Sequence, residues 1–168
     1  AFVKSLYKLS DFKIAGIRSS EEKITKEDLK QILNIKGMQF PSNITYEINQ
    51  ETKGILNDYS NYLSLIGDTT ETLEDKAIYK ESFLNLFEFQ LSQIYNDILP
   101  GKKKNEYLKV STYINMYSEA YATTGGKVTF KIDSADLGPI FKKNDSLYYQ
   151  RVELNKLLKA FILENKKL

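Results

Sequence analysis

Hydrophobic positions in the first half of the chain recur at helical spacing. Apolar side chains between residues 44 and 67 fall close to a 3.6-residue period, namely Ile48, Ile55, Tyr59, Tyr62, Leu63 and Ile66. This spacing predicts a long helix over 44–67. Gly54 weakens the helix, and Gly67 is suited to end it as the residue after the last turn.

A second helix is predicted over about 73–91. Gly67–Thr70 makes the connection, and Thr72 is placed to cap the new helix, with Asp75 three residues on. The apolar residues form a wide band, made up of Leu73, Ala77, Leu84, Phe87 and Leu91 with Ile78, Phe83 and Leu86 beside them. Such a width predicts a helix that packs on more than one side. Glu71, Glu74 and Asp75 are interpreted as charges at its N-terminus.

The flanking segments are less regular. Residues 2–17 fit a short helix followed by a strand, and 19–37 fit a helix with an acidic first turn that stops at Gly37. Phe40–Asn43 is predicted to be a turn because Pro41 restricts its own backbone and that of the residue before it. Residues 93–99 either extend the preceding helix or form a short strand.

A stripe of tyrosines marks a further predicted helix over 104–118. Its residues are spaced three and four apart, as in an amphipathic helix, and they are Tyr107, Val110, Ile114, Tyr117 and Tyr121. We interpret the stripe as a seam facing the core. A platform that stacks a ligand is the alternative.

The last third of the chain changes to alternating patterns. Val128–Asp133 and Leu147–Leu154 are β-rich and predict strands. Gly138–Pro139 is predicted to break the chain, and Lys143–Ser146 to turn it. Residues 156–163 fit either a helix or a continuation of the sheet. Helices first and strands later predict an α+β fold, with N-terminal helices packed on a C-terminal antiparallel sheet.

Composition narrows the class of protein. The 168 residues are 42% hydrophobic and 27% charged, which predicts one globular domain over 1–168. Basic and acidic residues number 24 and 22, and lysines are scattered among acids, so no nucleic-acid partner is expected. We interpret Lys102–Lys104 as a solvated loop. No apolar run reaches the ~18 residues of a membrane span. The first residue is Ala1 rather than Met, from which we expect an upstream segment such as a leader, a lipid-anchored tether or another domain.

The chain has no cysteine and no histidine. Thiolate chemistry, zinc sites built on those residues, and Ser-His-Asp or Cys-His catalysis are therefore excluded. Gly125–Gly126 is an isolated pair without the rest of a phosphate-binding loop. We accordingly expect no cofactor, no metal and no enzymatic activity.

Two stretches carry a resemblance to a known family. They are Tyr79–Phe87 together with Tyr95–Asp97, and Leu147–Lys159. With the order of the predicted elements, they resemble the nuclear-transport-factor-2-like (cystatin-like) α+β fold, and more narrowly divergent domains of that type in envelope proteins of Bacteroidetes bacteria. The resemblance implies a cone-shaped fold, a strand over 147–159, and a location in the bacterial periplasm or at the outer membrane.

The same resemblance directs attention to tyrosine and aspartate. Enzymes of this fold use an Asp or a Tyr inside the cone, sometimes with His, which this chain lacks. Tyr95 and Asp97 are the first candidates for such a role, and Asp133 and Glu88 are the second choice. Tyr95 and Asp97 share a face if they lie on one strand. The structural interpretation of the pair is a packed tyrosine followed by a turn at the end of a strand.

Three functional hypotheses follow. The leading one is a non-enzymatic binding or scaffold domain that makes protein–protein contacts, with a protein partner or a second copy, in a bacterial cell envelope. Tyr148 and Tyr149 are its candidate contacts, since adjacent strand residues face opposite ways and tyrosine is favoured at interfaces. The alternative is a pocket for a small apolar ligand, or a weak acid–base enzyme that uses Tyr and Asp. The third is an all-helical adaptor bundle.

Overall fold

The computed structural model describes residues 2–6, 12–16, 40–88, 91–98, 107–122, 129–144 and 147–159. Three helices and two antiparallel sheets occupy these ranges, which confirms the predicted α+β class. The elements are β1 (Phe2–Leu6), β2 (Phe12–Gly16), α1 (Ser42–Gly67), α2 (Leu73–Asn85), β3 (Gln93–Tyr95), β4 (Tyr107–Lys109), α3 (Val110–Ala122), β5 (Thr129–Asn144) and β6 (Leu147–Lys159). The strands rule out the all-helical bundle.

The main sheet combines strands from both ends of the chain in the order β2-β1-β6-β5. β1 runs antiparallel to β6, from Phe2 opposite Arg151 to Leu6 opposite Leu147. The predicted short helix near the N-terminus is therefore wrong, because residues 2–6 form a strand. Its pairing comes from a strand at the far end of the chain, which the local pattern of apolar residues cannot show.

β5 and β6 form a long hairpin, which confirms both strands predicted in this third of the chain. Gly138–Pro139 does not break the chain as predicted, since both residues lie inside β5. The register of the pairing shifts between Leu137 and Ile140, so the Gly-Pro pair sits in an irregularity of the strand. Proline has no N–H to donate to a neighbouring strand. It is tolerated at such an irregularity because the regular hydrogen bonding between the strands is already interrupted there.

Several predicted features lie outside the described residues. They are the helix over 19–37, the lysine run at 102–104, the glycine pair at 125–126, residues 160–163, and Asp145 and Ser146 of the predicted turn. The other two residues of that turn, Lys143 and Asn144, belong to β5. Residues 147–159 are strand rather than helix, as the family resemblance implied.

The long helix α1 confirms the prediction from apolar spacing. It begins two residues earlier than predicted, so Ser42 and Asn43 are helical rather than part of a turn, and Pro41 precedes the first residue. Proline suits this place, where a backbone N–H has no helical partner to lose. The buried face consists of Ile48, Thr52, Ile55, Leu56, Tyr59, Leu63, Ile66 and Gly67.

Helix α2 starts where predicted and stops early. The Thr72 hydroxyl accepts the Asp75 backbone N–H at 3.1 Å, which confirms the cap. The helix ends at Asn85 instead of continuing to 91. The Ile14 N–H on β2 donates to the Leu86 carbonyl at 2.6 Å, and the Glu88 N–H donates to the Ile14 carbonyl at 3.0 Å. Because these backbone groups pair with β2, they are not available to continue the helix.

The ambiguity after α2 resolves as a short strand over the first three residues of the segment, and the described residues after it are neither helix nor strand. Gln93–Tyr95 pairs with Tyr107–Lys109 in a separate two-stranded sheet. The predicted helix over 104–118 consequently begins at Val110, and Tyr107 lies in β4 instead. The Val110 N–H donates to the Ser92 carbonyl at 2.9 Å, which fixes the point where β4 gives way to helix α3.

The tyrosines of α3 line the core, which confirms their interpretation as a core-facing seam. Tyr113 and Tyr117 are 1% exposed and Tyr121 is 7% exposed. Ring centroids lie 6.2 Å apart for Tyr113–Tyr117 and 4.8 Å apart for Tyr117–Tyr121. They share the main core with residues of α1, α2 and the sheet, including Tyr59, Phe83 and Phe130. Among the described helices, none is both long and apolar enough to cross a membrane.

Candidate functional site

Asp97 lies two residues past the end of β3, where three elements meet. The Tyr113 hydroxyl of α3 donates to Asp97 Oδ1 at 2.9 Å, and the Lys156 ammonium of β6 pairs with Oδ2. The side chains of Lys156 and Asp97 are 19% and 29% exposed, so the pair lies at the boundary between core and solvent. Asp97 therefore ties the end of β3 to a helix and to the main sheet.

Local chemistry turns the chain at this point. Asn96 follows the last residue of β3, and its side-chain oxygen accepts the Ile98 N–H at 3.3 Å. Such a bond from an asparagine to the backbone two residues on makes a tight turn. At the end of this turn, the Ile98 carbonyl accepts a hydrogen bond of 2.7 Å from the Tyr121 hydroxyl on α3. The loop carrying Asp97 is thus held against α3 at two tyrosines.

Two further hydroxyls reach the same region from inside the core. Tyr59 of α1 is 0% exposed and Tyr117 of α3 is 1% exposed. Among the described residues the Tyr117 hydroxyl has no hydrogen-bond partner, and the Tyr59 hydroxyl has none of good geometry, although the Tyr113 hydroxyl is close enough for a hydrogen bond that lowers the pKa of Tyr59. Most buried hydroxyls are bonded, because burying one without a partner costs about 1–3 kcal/mol. The two groups are therefore the least satisfied polar atoms described in the core.

The phenols around Asp97 are held in their neutral form. Burial raises the pKa of Tyr59 and of Tyr113 well above the usual value, and the Asp97 charge raises both further. The pKa of Tyr117 is also raised, mainly by burial and further by the nearby Tyr121 and Asp97. At neutral pH these tyrosines can donate and accept hydrogen bonds, but they cannot supply a phenolate as base or nucleophile.

The other residues singled out from the sequence lie apart from this cluster. Tyr95 packs edge-on against Tyr107 across the small sheet, with ring centroids 5.9 Å apart. Asp97 lies beyond that strand and has different partners, so the structure does not bring the two candidates together. Asp133 is exposed on β5, and the Glu88 backbone N–H is bonded to β2.

Tyr148 and Tyr149 lie on β6, an interior strand of the main sheet. Tyr149 is opposite Lys4 on one side and Phe141 on the other, and Tyr148 is opposite Ser5 and Lys142. The backbone of this strand is thus paired along both edges. Added strands are excluded as a binding mode at these positions, and contact with a partner would have to use the side chains, which lie outside the description.

Sequence reasoning missed three residues of the Asp97 cluster. Tyr59 was expected only as part of the apolar face of a helix, and Tyr113 was not singled out within the predicted helix over 104–118. Lys156 lay in a segment that fitted either a helix or a strand. The available signal was chemical, since a buried tyrosine needs a partner for its hydroxyl. Asp97 was the nearest acid predicted to lie at the end of a strand, but its partners are distant in the chain.

A second candidate surface is the outward face of α2. Leu73 is 86% exposed and Ile78 is 56% exposed. Ala77, Glu74 and Glu81 are exposed on the same face, because residues three and four apart are neighbours on a helix. The wide apolar band predicted for this helix is buried only in part. The helix contacts both α1 and α3 and buries Phe83 between them, whereas Leu73 and Ile78 remain in contact with water.

The rest of the described surface contrasts with this face. The outward residues of the β5–β6 hairpin are mostly charged or polar, and include Lys131, Asp133, Glu153 and Asn155. Leu157 there is 42% exposed, and Tyr46 on α1 is 64% exposed, each without another large exposed apolar residue beside it in its helix or strand. Leu91, six residues after the end of α2, is 66% exposed. Exposed apolar side chains are therefore concentrated on α2 and just after it.

Searches for known relatives give no guide to this surface or to the cluster. No family model, no curated protein and no solved structure matches the chain to a significant degree. The described residues also contain no group of three or more carboxylates that could hold a metal ion. The function must be argued from the geometry of the chain itself.

Proposed function

We propose that this chain is a non-enzymatic binding domain that makes protein–protein contacts through the outward face of α2. The observation that carries the proposal is the exposure of Leu73 at 86% and Ile78 at 56% on the side of α2 turned away from the core, with exposed Ala77 between them around the helix. Single exposed leucines are ordinary, but several apolar side chains exposed along one short helix suit a contact site. A location in a bacterial envelope rests on the family resemblance alone.

The charges beside these residues define the partner's chemistry. Glu74 and Glu81 are exposed within the same face as Ala77. A partner that suits the face therefore offers apolar side chains flanked by lysine or arginine. A second copy that used the same face in a two-fold contact would bring these glutamates against each other, which disfavours self-association. We accordingly propose a different protein as the partner, which docks an apolar segment with basic flanks.

Tyr148 and Tyr149 remain proposed contacts of a second kind. They occupy neighbouring positions on β6, an interior strand of the main sheet. We favour the outward face of α2 as the contact surface, because its apolar residues Leu73 and Ile78 are exposed.

The proposal is tested by removing the apolar side chains from the face. The Leu73→Ser/Ile78→Ser variant keeps the charges, and we expect it to weaken partner binding at least tenfold. The matched control is Lys131→Ser/Glu153→Ser, which changes two exposed residues on the hairpin. Proteins captured from producing cells by the wild-type domain would be purified, and their affinities for all three domains measured by calorimetry.

The charges give a second, independent arm. Glu74→Lys/Glu81→Lys should weaken the same complex, and raising the salt concentration should weaken the wild-type complex because exposed charge pairs are screened. Equal affinities of wild type, both α2 variants and the hairpin control would contradict the proposal. Equal unfolding midpoints establish that all the variants are folded.

The second candidate function is binding or acid–base chemistry on a small ligand at Asp97. The observation that favours it is the hydrogen bond from Tyr113 together with the ion pair to Lys156, at a partly exposed position. Both carboxylate oxygens of Asp97 already accept from these groups, which suits anchoring better than proton abstraction. If the site binds a ligand, Asp97→Asn abolishes that binding while the domain stays folded. A variant that only loses stability supports the structural role.

A further inference from the structure

Four exposed residues of α2 surround one depression on its outward side. They are Glu74, Ala77, Ile78 and Glu81. Their spacing of three and four residues makes their side chains neighbours on the helix surface. Ala77 carries only a methyl group, whereas the three side chains around it are longer. The four residues therefore form a hole of the kind that receives one side chain of a facing helix.

This hole is apolar in its middle and acidic at its two ends. Ala77 and Ile78 form the middle, Glu74 lies about one turn before them, and Glu81 lies about one turn after them. A partner helix that carries an apolar residue, with lysine or arginine one turn before it and one turn after it, brings a basic group beside each glutamate. The charges thus match a spacing in the partner as well as a composition.

The backbone of α2 bears on the partner's secondary structure. An extended segment gains affinity from its backbone N–H and C=O groups when it can add to the edge of a sheet. Helix α2 offers no such edge, because its own N–H and C=O groups bond to one another along the helix. A partner that is itself a helix satisfies its backbone internally and presents side chains at the same spacing of three and four residues.

We propose that the partner docks on α2 as an amphipathic helix, which places one apolar side chain over Ala77 and a basic residue beside each glutamate of the hole. This inference rests on the proposed function, and it adds the secondary structure and the residue spacing of the segment that binds. Leu73 is exposed one turn before Ala77 and extends the contact at that end. Because α2 has only 13 residues, the contact is limited to a few turns of the partner.

Filling the hole separates this docking mode from simple coverage of apolar surface. Ala77→Leu adds apolar area but occupies the space that the partner's side chain needs, so we expect it to weaken the complex at least tenfold. An unchanged or higher affinity is the result for a partner that only covers apolar surface, and it would overturn helical docking. Gln50→Leu, at an exposed position of α1, is the matched control for an added leucine. The protein that crosslinks to α2 is purified, and its affinity for each domain is measured by calorimetry.

Crosslinking also reports the partner's secondary structure. Photo-crosslinking residues at exposed positions 78 and 85, placed in separate variants, lie about 10 Å apart along α2. Mass spectrometry of the adducts identifies the partner residues that each one captures. We expect the two captured sites to lie about seven residues apart, as they do along a helix. A separation of about three residues, as in an extended segment, would contradict helical docking and still support partner binding at α2. The absence of an adduct from both positions would overturn both proposals.

Discussion

Gln150 is 2% exposed, yet its amide has three partners on two other elements. Its nitrogen donates to Asn49 Oδ1 on α1 at 2.7 Å and to the Gly138 carbonyl on β5 at 3.0 Å. Its oxygen accepts from the Thr52 hydroxyl at 2.9 Å. A buried amide satisfied in this way fixes the position of the helix over the sheet, because any sliding would break several bonds at once.

Replacing this amide should be costly. We expect Gln150→Ala to lower the free energy of unfolding by about 2–4 kcal/mol, since it leaves the buried Thr52 hydroxyl and the half-buried Asn49 side chain without this partner and also opens a cavity. Asn155→Ala is the matched control, because Asn155 bonds to Ser134 at 2.9 Å in an exposed position and should cost under about 0.5 kcal/mol. Urea unfolding of both variants measures the difference. Equal costs would contradict the role given to Gln150.

Gly54 lies in the middle of α1, on its exposed side. A methyl group added there meets no atom within 4 Å. Gly54→Ala should therefore stabilise the protein by about 0.5–1 kcal/mol, because alanine loses less backbone entropy in a helix. Thermal unfolding measures the gain. A lower midpoint in the variant would mean that the glycine serves a contact or a bend at this point.

At the scale of elements, α1 does more than cover one face of the sheet. The Ser60 and Ser64 hydroxyls both donate to the Phe130 carbonyl, at 3.1 and 2.9 Å, and Ser64 also accepts the Phe130 N–H at 3.1 Å. β5 is the outermost described strand of the main sheet on this side. The two serines therefore satisfy edge groups that could otherwise pair with another chain.

Removing these hydroxyls should loosen the edge. We expect Ser64→Ala to cost about 1–2 kcal/mol of unfolding free energy, because it leaves the Phe130 N–H without its partner. Adding Ser60→Ala should raise hydrogen exchange at the Phe130 amide further. Asn61→Ala, an exposed neighbour on α1, controls for the change in helix propensity. Unchanged exchange at Phe130 in the double variant would show that the serines do not protect the strand.

The elements also show which predictions were within reach of the sequence. The start of α2 and the extent of α1 follow from local signals, a capping threonine and a 3.6-residue period. The end of α2 does not, because it is set by backbone bonds to Ile14 far away in the chain. The strands at residues 2–6 and around Gly138–Pro139 were misjudged for the same reason. In each case a distant partner overrides the local preference.

The candidate sites divide along the same line. Asp97 was picked out as an acid expected at the end of a strand, and the tyrosine seam of α3 was recognised from its spacing. Asp97 contacts Tyr113 and Lys156, which are far from it in the sequence. The spacing of apolar residues reports only local structure and cannot predict such contacts. The exposure of Leu73 and Ile78 was equally beyond reach, because an apolar residue in the sequence gives no sign that its face has been left uncovered.

For the molecule as a whole, the buried tyrosines predict a limit at alkaline pH. An unfolded tyrosine loses its proton near pH 10, whereas Tyr113 keeps its proton because burial, Tyr59 and Asp97 raise its pKa. Each tyrosine that keeps its proton only in the folded state therefore favours unfolding as the pH rises above 10, by about 1.4 kcal/mol per pH unit. Below pH 10 such a tyrosine is protonated in both states, and its ionisation does not change the stability.

This loss of stability should depend on the buried phenol. Tyr113→Phe is expected to lower stability at neutral pH by removing the bond to Asp97, yet to show a shallower decline above pH 10 than the wild type. Tyr46→Phe, at an exposed tyrosine, should decline as the wild type does. Urea unfolding at pH 8 and at several values above pH 10 provides the comparison. Equal slopes for Tyr113→Phe and wild type would contradict the assigned burial.

The central claim is that the outward face of α2 receives a partner protein. Its most direct test is a photo-crosslinking residue placed at position 78 in the producing cells, with the same residue at exposed position 133 on β5 as the comparison. We predict a discrete adduct with a different protein from position 78, lost when Leu73→Ser is added, and none of that mass from position 133. No adduct from position 78, or the same adducts from both positions, would contradict the claim.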